Sequence, residues 1–379
     1  MSVSVSSSRS SSAVSTVSSS RGARALRRAA LLAGVSLGAG LLVACGSDAG
    51  SEQAASAETV TVTNCGEELT FPKTERMFIN DGNNIAIALS AGARDQIKDV
   101  AYLKSADLLS EKYGADVISS LHEVSEEYPS FEQIVAASPQ VYFAGYGYGL
   151  DEGKGITPDT LAEQGIATYQ LTEACRKAGS EARGTIDPWE AVLIDIENIG
   201  AITGHEDVAA AAIEEQKSRL QAVTSAPKPE HTPVGFVFDT GTDTVFTSGK
   251  FGAPNAILEA AGATNAAADV DDTWVNVSWE KLAASAPDFF VFVDYPGQTF
   301  EEKVAQLRSN PATKDLPAVK ENRFINLPYA MWTSGPLNVD AAEQLRVALE
   351  HLGLAPESGI TPELTLPATV AGQEYYAAR

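Results

Sequence analysis

Apolar and polar positions along this chain predict short strands that alternate with helices. After a possible edge hairpin, VTVTNC and ELTFP, the strand-like runs are MFIN, IKDVAYL, QVYFAG and TYQLT. A second set begins at VGFVFD and continues with DFFVFVD and RFINLP. Helical sequence separates most of these runs, a pattern typical of mainly parallel sheets with helices on both faces. We therefore predict an α/β fold of two Rossmann-like lobes.

One helix-strand unit occurs twice, as SFEQIVAASPQVYF from Ser130 and as SWEKLAASAPDFFVF from Ser278. Each serine is suited to cap a helix, and the acid of the first turn, Glu132 or Glu280, suits the positive end of the helix dipole. A proline then ends the helix before an apolar strand. The repeat predicts two similar halves, although a capped helix before a strand is common in α/β proteins.

A long helical segment lies between the halves. Helical sequence dominates from Pro188 to about Val223, and the breaker-rich TSAPKPEHTP follows it. We predict an N-terminal lobe over 59–203, a single linker helix over 204–226 and a C-terminal lobe over 227–355. The Pro- and Thr-rich tail, 356–379, is expected to pack loosely.

The amino-terminal segment is typical of an export signal. Residues 1–44 contain five arginines and no acid, and an apolar stretch of small residues leads to Leu42-Val43-Ala44-Cys45. This ending resembles the bacterial lipobox, which implies that Cys45 becomes the lipidated first residue. The alternative is an ordinary secretory signal, and Arg27-Arg28 leaves the twin-arginine route open. Residues 45–58 are small and acidic and predict a flexible tether.

Composition excludes some partners. Without residues 1–44 the chain keeps 22 of its 27 basic residues and all 50 acidic ones, so we expect no nucleic-acid partner. Cys65 and Cys175 are the cysteines that remain besides Cys45, and no Cys-x-x-Cys pair exists. In an exported protein this predicts a Cys65–Cys175 disulfide, with two free thiols as the alternative.

Enzyme motifs are missing from the sequence. It has no G-x-S-x-G elbow, no zinc-protease helix, no phosphate loop and no dinucleotide fingerprint. We therefore expect no enzyme and no cofactor. An exported hydrolase and a surface scaffold remain the alternatives from other classes.

Three segments together resemble a known family: TNCGEELTFPKTERMFI, LSAGARDQIKDVA and SNPATKDLPAVKENRFINLP. The chain resembles, over about residues 60–354, the substrate-binding lipoproteins of bacterial ABC importers in the iron-siderophore, cobalamin and haem branch. The resemblance implies two lobes joined by one long helix, a monomer anchored to the outer face of the cell membrane, and ABC permease subunits as partners. It also implies that Glu132 and Glu280 dock against permease arginines. The alternative is that these acids only favour their helix dipoles.

The ligand is expected beyond the carboxyl ends of the parallel strands. Tyr146-Gly147-Tyr148 is the sharpest local candidate, because glycine allows close approach and the tyrosines offer aromatic faces. Arg176, Lys250 or Arg323 would meet an anionic rim, while plain packing is the alternative for each aromatic residue. The full candidate set is Asn83, Tyr102, Tyr146, Tyr148, Arg176, Trp189, Lys250, Trp274, Tyr295, Tyr329 and Trp332.

An aromatic-rich cleft with scattered polar groups favours a large, partly apolar metal chelate, and a ferric siderophore is preferred. Haem held by a tyrosine such as Tyr146 or Tyr295, cobalamin and a bare metal ion are the alternatives. Only four histidines exist, so we expect no direct metal site.

Overall fold

The first half of the chain folds around a parallel sheet. The computed structural model describes residues 58–295 and 297–376, so the predicted signal, Cys45 and nearly all of the tether lie outside the described residues. The strands are β1 (Thr59–Asn64), β2 (Glu67–Pro72), β3 (Met77–Asn80), β4 (Ile97–Ala101), β5 (Glu123–Ser125), β6 (Val141–Tyr146), β7 (Gly149–Leu150) and β8 (Ala167–Gln170). The helices are α1 (Gly82–Ser90), α2 (Ala106–Tyr113), α3 (Ala115–Ser119), α4 (Phe131–Ala137), α5 (Pro158–Ala162) and α6 (Pro188–Thr203).

The strand order of the first lobe is β5-β4-β3-β6-β8, with all neighbours parallel and the short β7 beside the end of β6. β1 and β2 form the predicted antiparallel hairpin apart from this sheet. The carboxyl ends of these five parallel strands therefore reach the same edge of the lobe.

The helical segment that begins at Pro188 is broken at Gly204. Gly204 adopts a φ of +76°, a left-handed conformation that ends α6 and that glycine adopts readily. The inner face of α6, which includes Val192, Ile196 and Ile199, packs into the core of the first lobe. The chain then passes to the second lobe through one long helix, α7 (Glu206–Thr224).

The second lobe repeats the parallel-sheet plan. Its strands are β9 (Val234–Phe238), β10 (Thr240–Gly241), β11 (Val245–Ser248), β12 (Thr264–Asn265), β13 (Trp274–Val277), β14 (Phe289–Asp294) and β15 (Phe324–Pro328). Its helices are α8 (Ala253–Ala261), α9 (Trp279–Ala284), α10 (Phe300–Ser309), α11 (Pro317–Lys320) and α12 (Leu337–His351).

The parallel sheet of the second lobe has the order β12-β9-β14-β15, and β10-β11-β13 form an antiparallel sheet beside it. The predicted α/β fold of two lobes with mainly parallel sheets is confirmed. Among the described residues, no helix combines the length and the apolar character needed to cross a membrane.

The two lobes share one apolar cluster. Leu108 and Leu109 of α2 belong to the same buried cluster as Ile257 of α8 and Leu345 of α12. Burying these apolar side chains stabilises the contact between the lobes by about 25 cal/mol per Å² of apolar surface removed from water. The lobes therefore meet through a continuous core as well as through α7.

Buried ion pairs lie beside this shared core. The Arg219 guanidinium of α7 is 2.6 Å from an Asp340 carboxylate oxygen and 2.7 Å from one of Glu343, both on α12. The Lys112 ammonium of α2 approaches Asp340 at 3.0 Å. Asp340 is fully buried, so it depends on these cations, and it ties a helix of each lobe to the linker.

The carboxyl-terminal tail is packed, contrary to the expectation from sequence. Leu364, Val370 and Tyr376 are buried, and the Tyr376 hydroxyl donates to the Asn326 carbonyl at 2.9 Å. Gln373 donates to the carbonyls of Pro367 and Val370, so the tail also forms hydrogen bonds within itself. The prediction of loose packing was wrong because the three buried side chains are widely spaced along the tail and leave no helical or strand periodicity in its sequence.

The predicted disulfide is present between Cys65 and Cys175. It joins the turn of the β1–β2 hairpin to the loop after β8, across 110 positions of sequence. The hairpin lies outside the main sheet, so the bridge fastens it to the lobe.

We predict that replacing both cysteines by serine lowers the free energy of unfolding by about 2–5 kcal/mol, because the unfolded chain gains freedom when a large loop opens. Urea unfolding monitored by circular dichroism measures the difference. Reductant should destabilise the parent protein by a similar amount and leave the C65S/C175S variant unchanged. Equal stability of parent and variant would show that the bridge contributes nothing.

Candidate functional site

A buried carboxylate lies where the two lobes meet. Asp81 follows β3 and is fully buried, and its Oδ2 accepts hydrogen bonds from the hydroxyls of Tyr128 and Tyr329, each at 3.1 Å. Tyr128 belongs to the first lobe and Tyr329 follows β15 of the second. One carboxylate oxygen therefore joins the carboxyl ends of both sheets.

The backbone at this point is tightly built. Asp81 adopts a φ of 80°, which is uncommon for a residue other than glycine. Next to it, a Cβ added to Gly82 would lie 2.6 Å from the Lys104 carbonyl oxygen. Glycine at 82 lets α1 start close to the loop after β4, and this contact presents Asp81 to the second lobe.

Four tyrosines surround this carboxylate: Tyr102 and Tyr128 from the first lobe, and Tyr295 and Tyr329 from the second. We call them the tyrosine cluster. The Tyr102 and Tyr295 hydroxyls hydrogen-bond across the lobe boundary. Ring centroids are 4.3 Å apart for Tyr102 and Tyr128, and 5.2 Å apart for Tyr295 and Tyr329. The cluster presents phenolic oxygens and aromatic faces in one place.

The electrostatics of the cluster favour neutral groups. Burial raises the pKa of Asp81 to about 7, although the hydrogen bonds from Tyr128 and Tyr329 act in the opposite direction. Burial likewise raises the pKa of the Tyr329 hydroxyl well above its ordinary value, and the nearby Asp81 adds to this shift. The Tyr329 hydroxyl therefore remains a hydrogen-bond donor at neutral pH.

A second polar contact between the lobes involves Glu173, after β8. The Tyr148 hydroxyl donates to Glu173 Oε2 at 3.0 Å, and the Ala253 amide at the start of α8 donates to Oε1 at 3.2 Å. Burial raises the pKa of Glu173, and the charge of Arg183 opposes that shift. Close by, Asn83 Nδ2 donates to the Ser334 carbonyl at 2.8 Å.

Several buried polar atoms at this boundary lack a hydrogen-bond partner among the described residues. They include Asp81 Oδ1, Asn83 Oδ1, the Ser334 hydroxyl and the Trp274 indole nitrogen. Buried polar groups are normally paired, so unpaired ones concentrated between two lobes mark a place where another molecule can supply partners.

Two cavities adjoin the lobe boundary. The larger, about 490 Å³, is walled by both lobes and by the tail, and its lining includes Lys104, Asp107, Asp294, Tyr295, Glu301, Tyr329 and Val370. The smaller, about 370 Å³, is in the first lobe and is lined by residues that include Tyr128, Tyr146, Gly147, Glu152 and Arg176. Both volumes fall within the range of small-molecule sites.

The structure brings many of the predicted site residues to this boundary. Tyr102, Tyr295 and Tyr329 lie in the tyrosine cluster, whereas Asn83 and Tyr148 make the buried contacts described above. Tyr146 lines the smaller cavity, with the Arg176 guanidinium 3.6 Å from its ring centroid.

Other predicted residues lie elsewhere. Trp332 is fully buried and its indole nitrogen donates to the Phe292 and Leu327 carbonyls, so it is a core residue. Trp189 lines a separate pocket beside the end of α7. Arg323 precedes β15 and is therefore at the opposite end of the sheet from the cleft.

Two more predicted residues lie in the second lobe near the antiparallel sheet. Trp274 is nearly buried and stacks on Phe246, with 5.8 Å between ring centroids. Lys250 is exposed, 5.5 Å above the Phe251 ring. Neither lines the two cavities at the boundary.

The candidate set predicted from the sequence does not include Tyr128, Asp81 or Glu173. Tyr128 follows β5, a three-residue edge strand with no apolar run, so periodicity could not locate it. Asp81 and Glu173 follow predicted strands, and acids at buried strand ends were the available signal.

Glu132 and Glu280 are exposed, each in the first turn of its helix. Ser130 Oγ accepts from the Gln133 amide at 3.3 Å and Ser278 Oγ from the Lys281 amide at 3.1 Å, so both predicted caps are confirmed. Among the described residues, no group of three or more His, Cys, Asp or Glu side chains is arranged to hold a metal ion.

Two parallel-sheet lobes that meet on a polar, tyrosine-rich boundary define a two-lobed ligand-binding protein. A family model described as periplasmic binding protein matches residues 120–330, more than half of the sequence, and the chain belongs to this family. The family comprises extracytoplasmic substrate-binding components of ABC importers, so the resemblance found in the sequence is confirmed. No curated protein matches the chain significantly.

Solved structures share the fold. A periplasmic binding protein from Veillonella parvula superposes with a TM-score of 0.63 at 21% identity, covering 76% of this chain and 96% of that one. An ABC-type Fe³⁺-hydroxamate transport protein from Saccharomonospora viridis gives 0.62 at 24%, covering 76% and 97%. A periplasmic haem-binding protein from Pseudomonas aeruginosa gives 0.57 at 18%, covering 76% and 96%.

We predict that Asp81→Asn stabilises the protein more at pH 7.5 than at pH 4.5. Since the pKa of Asp81 is near 7 when folded and about 4 when unfolded, the parent loses stability as pH rises between these values, and asparagine does not. Urea unfolding at both pH values measures the difference. A pH-independent effect of Asp81→Asn would contradict the assignment.

Proposed function

We propose that this protein is the membrane-anchored receptor of an ABC importer and that it captures a ferric siderophore between its lobes. The observation that carries the proposal is the tyrosine cluster around Asp81, at the facing carboxyl ends of both sheets. Phenolic oxygens and aromatic faces suit a large chelate that is polar at its rim and apolar elsewhere. The larger cavity beside Tyr295 and Tyr329 supplies the space.

Two of the structural relatives have names that bear on the cargo, because one is an Fe³⁺-hydroxamate transport protein and another a haem-binding protein. Haem is the second candidate, since Tyr146 and Tyr295 are partly exposed tyrosines beside cavities and a tyrosine can ligate haem iron. We prefer a preformed siderophore complex, because several polar side chains line the larger cavity around Tyr295.

Anchoring and delivery complete the proposal. Lipidation of Cys45 would hold the receptor at the outer face of the membrane through the 45–58 tether. Glu132 and Glu280, one on each lobe, would pair with arginines of the permease. Two exposed carboxylates at equivalent helix starts can fix the orientation of a partner through charge-assisted hydrogen bonds.

We predict that a ferric siderophore raises the melting temperature of the protein, since a ligand that binds only the folded state stabilises it by mass action. Tyr295→Ala should weaken binding by tenfold or more, because it removes a face and a hydroxyl from the larger cavity. Thermal shift with a panel of ferric siderophores, haem and cobalamin measures both effects. Tyr146→Ala is the matched variant in the smaller cavity and should change affinity less.

A larger loss of affinity in Tyr146→Ala than in Tyr295→Ala would indicate that the cargo binds in the smaller cavity. If only haem raised the melting temperature, haem would replace the siderophore as the cargo. No stabilisation by any member of the panel would count against the receptor itself.

We predict that Glu132→Lys with Glu280→Lys leaves ligand affinity unchanged and abolishes uptake, because charge reversal repels the permease arginines. Uptake of a radiolabelled ferric complex by cells that depend on this receptor is the measurement. The control is Glu163→Lys with Glu357→Lys, which makes the same change in total charge at two other exposed acids. Normal uptake by the first variant would rule out the docking role.

A further inference from the structure

Three cationic side chains on the smaller-cavity side of the boundary are paired with acids, while the Arg183 guanidinium donates to the Tyr146 carbonyl at 2.9 Å. Arg176 contacts Glu152 at 2.5 Å and Lys154 lies 3.7 Å from Asp151. Lys177, which reaches from the first lobe to the second, contacts Asp271 at 2.9 Å. These positive charges are neutralised by the protein, so they are poorly placed to bind an anionic cargo.

The larger cavity has the opposite character. Asp107, Asp294 and Glu301 line it, against one lining cation, Lys104. The Lys104 ammonium donates to the Glu126 carbonyl at 2.9 Å and lies 4.5 Å from the Tyr102 ring centroid. Among the described residues none of the three carboxylates forms an ion pair, and acids outnumber cations three to one in the lining.

Asp81 gives an independent observation at the same boundary. It is fully buried, and its Oδ1 has no hydrogen-bond partner among the described residues. The Asp81 oxygen that is paired is bonded to Tyr329, which itself lines the larger cavity. An unpaired oxygen of this buried carboxyl group, behind the tyrosine, favours a cargo that donates hydrogen bonds.

Another cation lies behind the wall of the cavity. Lys303 is fully buried and donates to the Val293 carbonyl. It is near Asp239 and Asp294, and burial lowers the pKa of Lys303 to about 8. Lys303 does not line the cavity, and its hydrogen bond to the Val293 carbonyl holds it behind the wall, so it is not placed to bind an anionic cargo.

The charge of a ferric chelate follows from its donor groups. Three deprotonated hydroxamates cancel the three charges of Fe³⁺, and a free ammonium on the chelator makes the complex cationic. Three catecholates, each bearing two negative charges, leave a complex of charge −3, and haem has two propionates. Like charges placed together in a cleft are strongly disfavoured, so an acidic cavity discriminates among these classes.

We infer that the cleft selects ferric chelates of zero or positive net charge, the tris-hydroxamate class, against tris-catecholates and haem. This inference rests on the proposed function, since it assigns a charge class to the cargo of the same cleft. The acids that line the larger cavity and the paired cations beside the smaller one support the charge class, and the unpaired Asp81 oxygen supports a cargo with hydrogen-bond donors.

The test titrates the protein with four probes and follows intrinsic fluorescence: cationic ferrioxamine B, neutral ferrichrome, a ferric tris-catecholate and haemin. Dissociation constants for the first two should be at least tenfold lower than for the last two. Raising the salt concentration from about 0.05 to about 0.5 M should reduce the difference between these dissociation constants, because mobile ions screen exposed charges.

A variant pair separates local from total charge. Asp107→Lys with Glu301→Lys should reduce the preference at least tenfold, because both side chains line the cavity. Glu163→Lys with Glu357→Lys makes the same change in total charge at exposed positions that do not line it, and should leave the preference intact.

The outcomes are distinct. Equal or tighter binding of the tris-catecholate or haemin by the parent overturns the charge inference and leaves the proposed receptor function standing. An equal effect of the two variant pairs also overturns it, because total charge would then explain the preference. If none of the four probes binds, the proposed function and the inference both fail.

Discussion

The hydrogen bonds to Asp81 are the interaction on which this two-lobed arrangement depends. A carboxylate without a nearby cation is buried between the lobes, and Tyr128 and Tyr329 are the side chains that donate to it. A hydrogen bond inside a protein contributes about 0.5–1.5 kcal/mol to stability, while leaving a buried polar group unpaired costs about 1–3 kcal/mol. Asp81 therefore favours closed lobes only while Tyr329 remains bonded to it, and a cargo that offers a better donor can take that place.

The shared core sets a limit on how far the lobes can separate. Leu108 and Leu109 are packed with residues of the second lobe, and Asp340 binds Lys112 and Arg219 from two other helices. Wide opening would expose apolar surface and would leave the buried Asp340 carboxylate without its cationic partners. Small shifts at the tyrosine cluster cost much less. The combination is consistent with a receptor whose lobes adjust around cargo by modest movements, with α7 as a stiff connection.

Local sequence signals were sufficient for the elements and insufficient for the site. Ser130 and Ser278 cap their helices as predicted, because a cap depends on its immediate neighbours. The Asp81–Tyr329 bond joins residues 248 positions apart, and no local pattern encodes that meeting. Trp332 follows a predicted strand end but faces the core, since the rule that places ligands at strand ends does not say which way a side chain points. Tyr128 follows a strand too short to show periodicity.

The proposed binding site for cargo lies beside the tyrosine cluster, between the lobes. Diffraction from crystals grown with ferrioxamine B, recorded at the iron absorption edge, locates the metal directly. We expect one anomalous peak in the larger cavity, close enough for the bound chelate to contact Tyr295 and Tyr329. An iron peak bound elsewhere on the protein, with the Asp81–Tyr329 and Tyr102–Tyr295 hydrogen bonds unchanged, would contradict it.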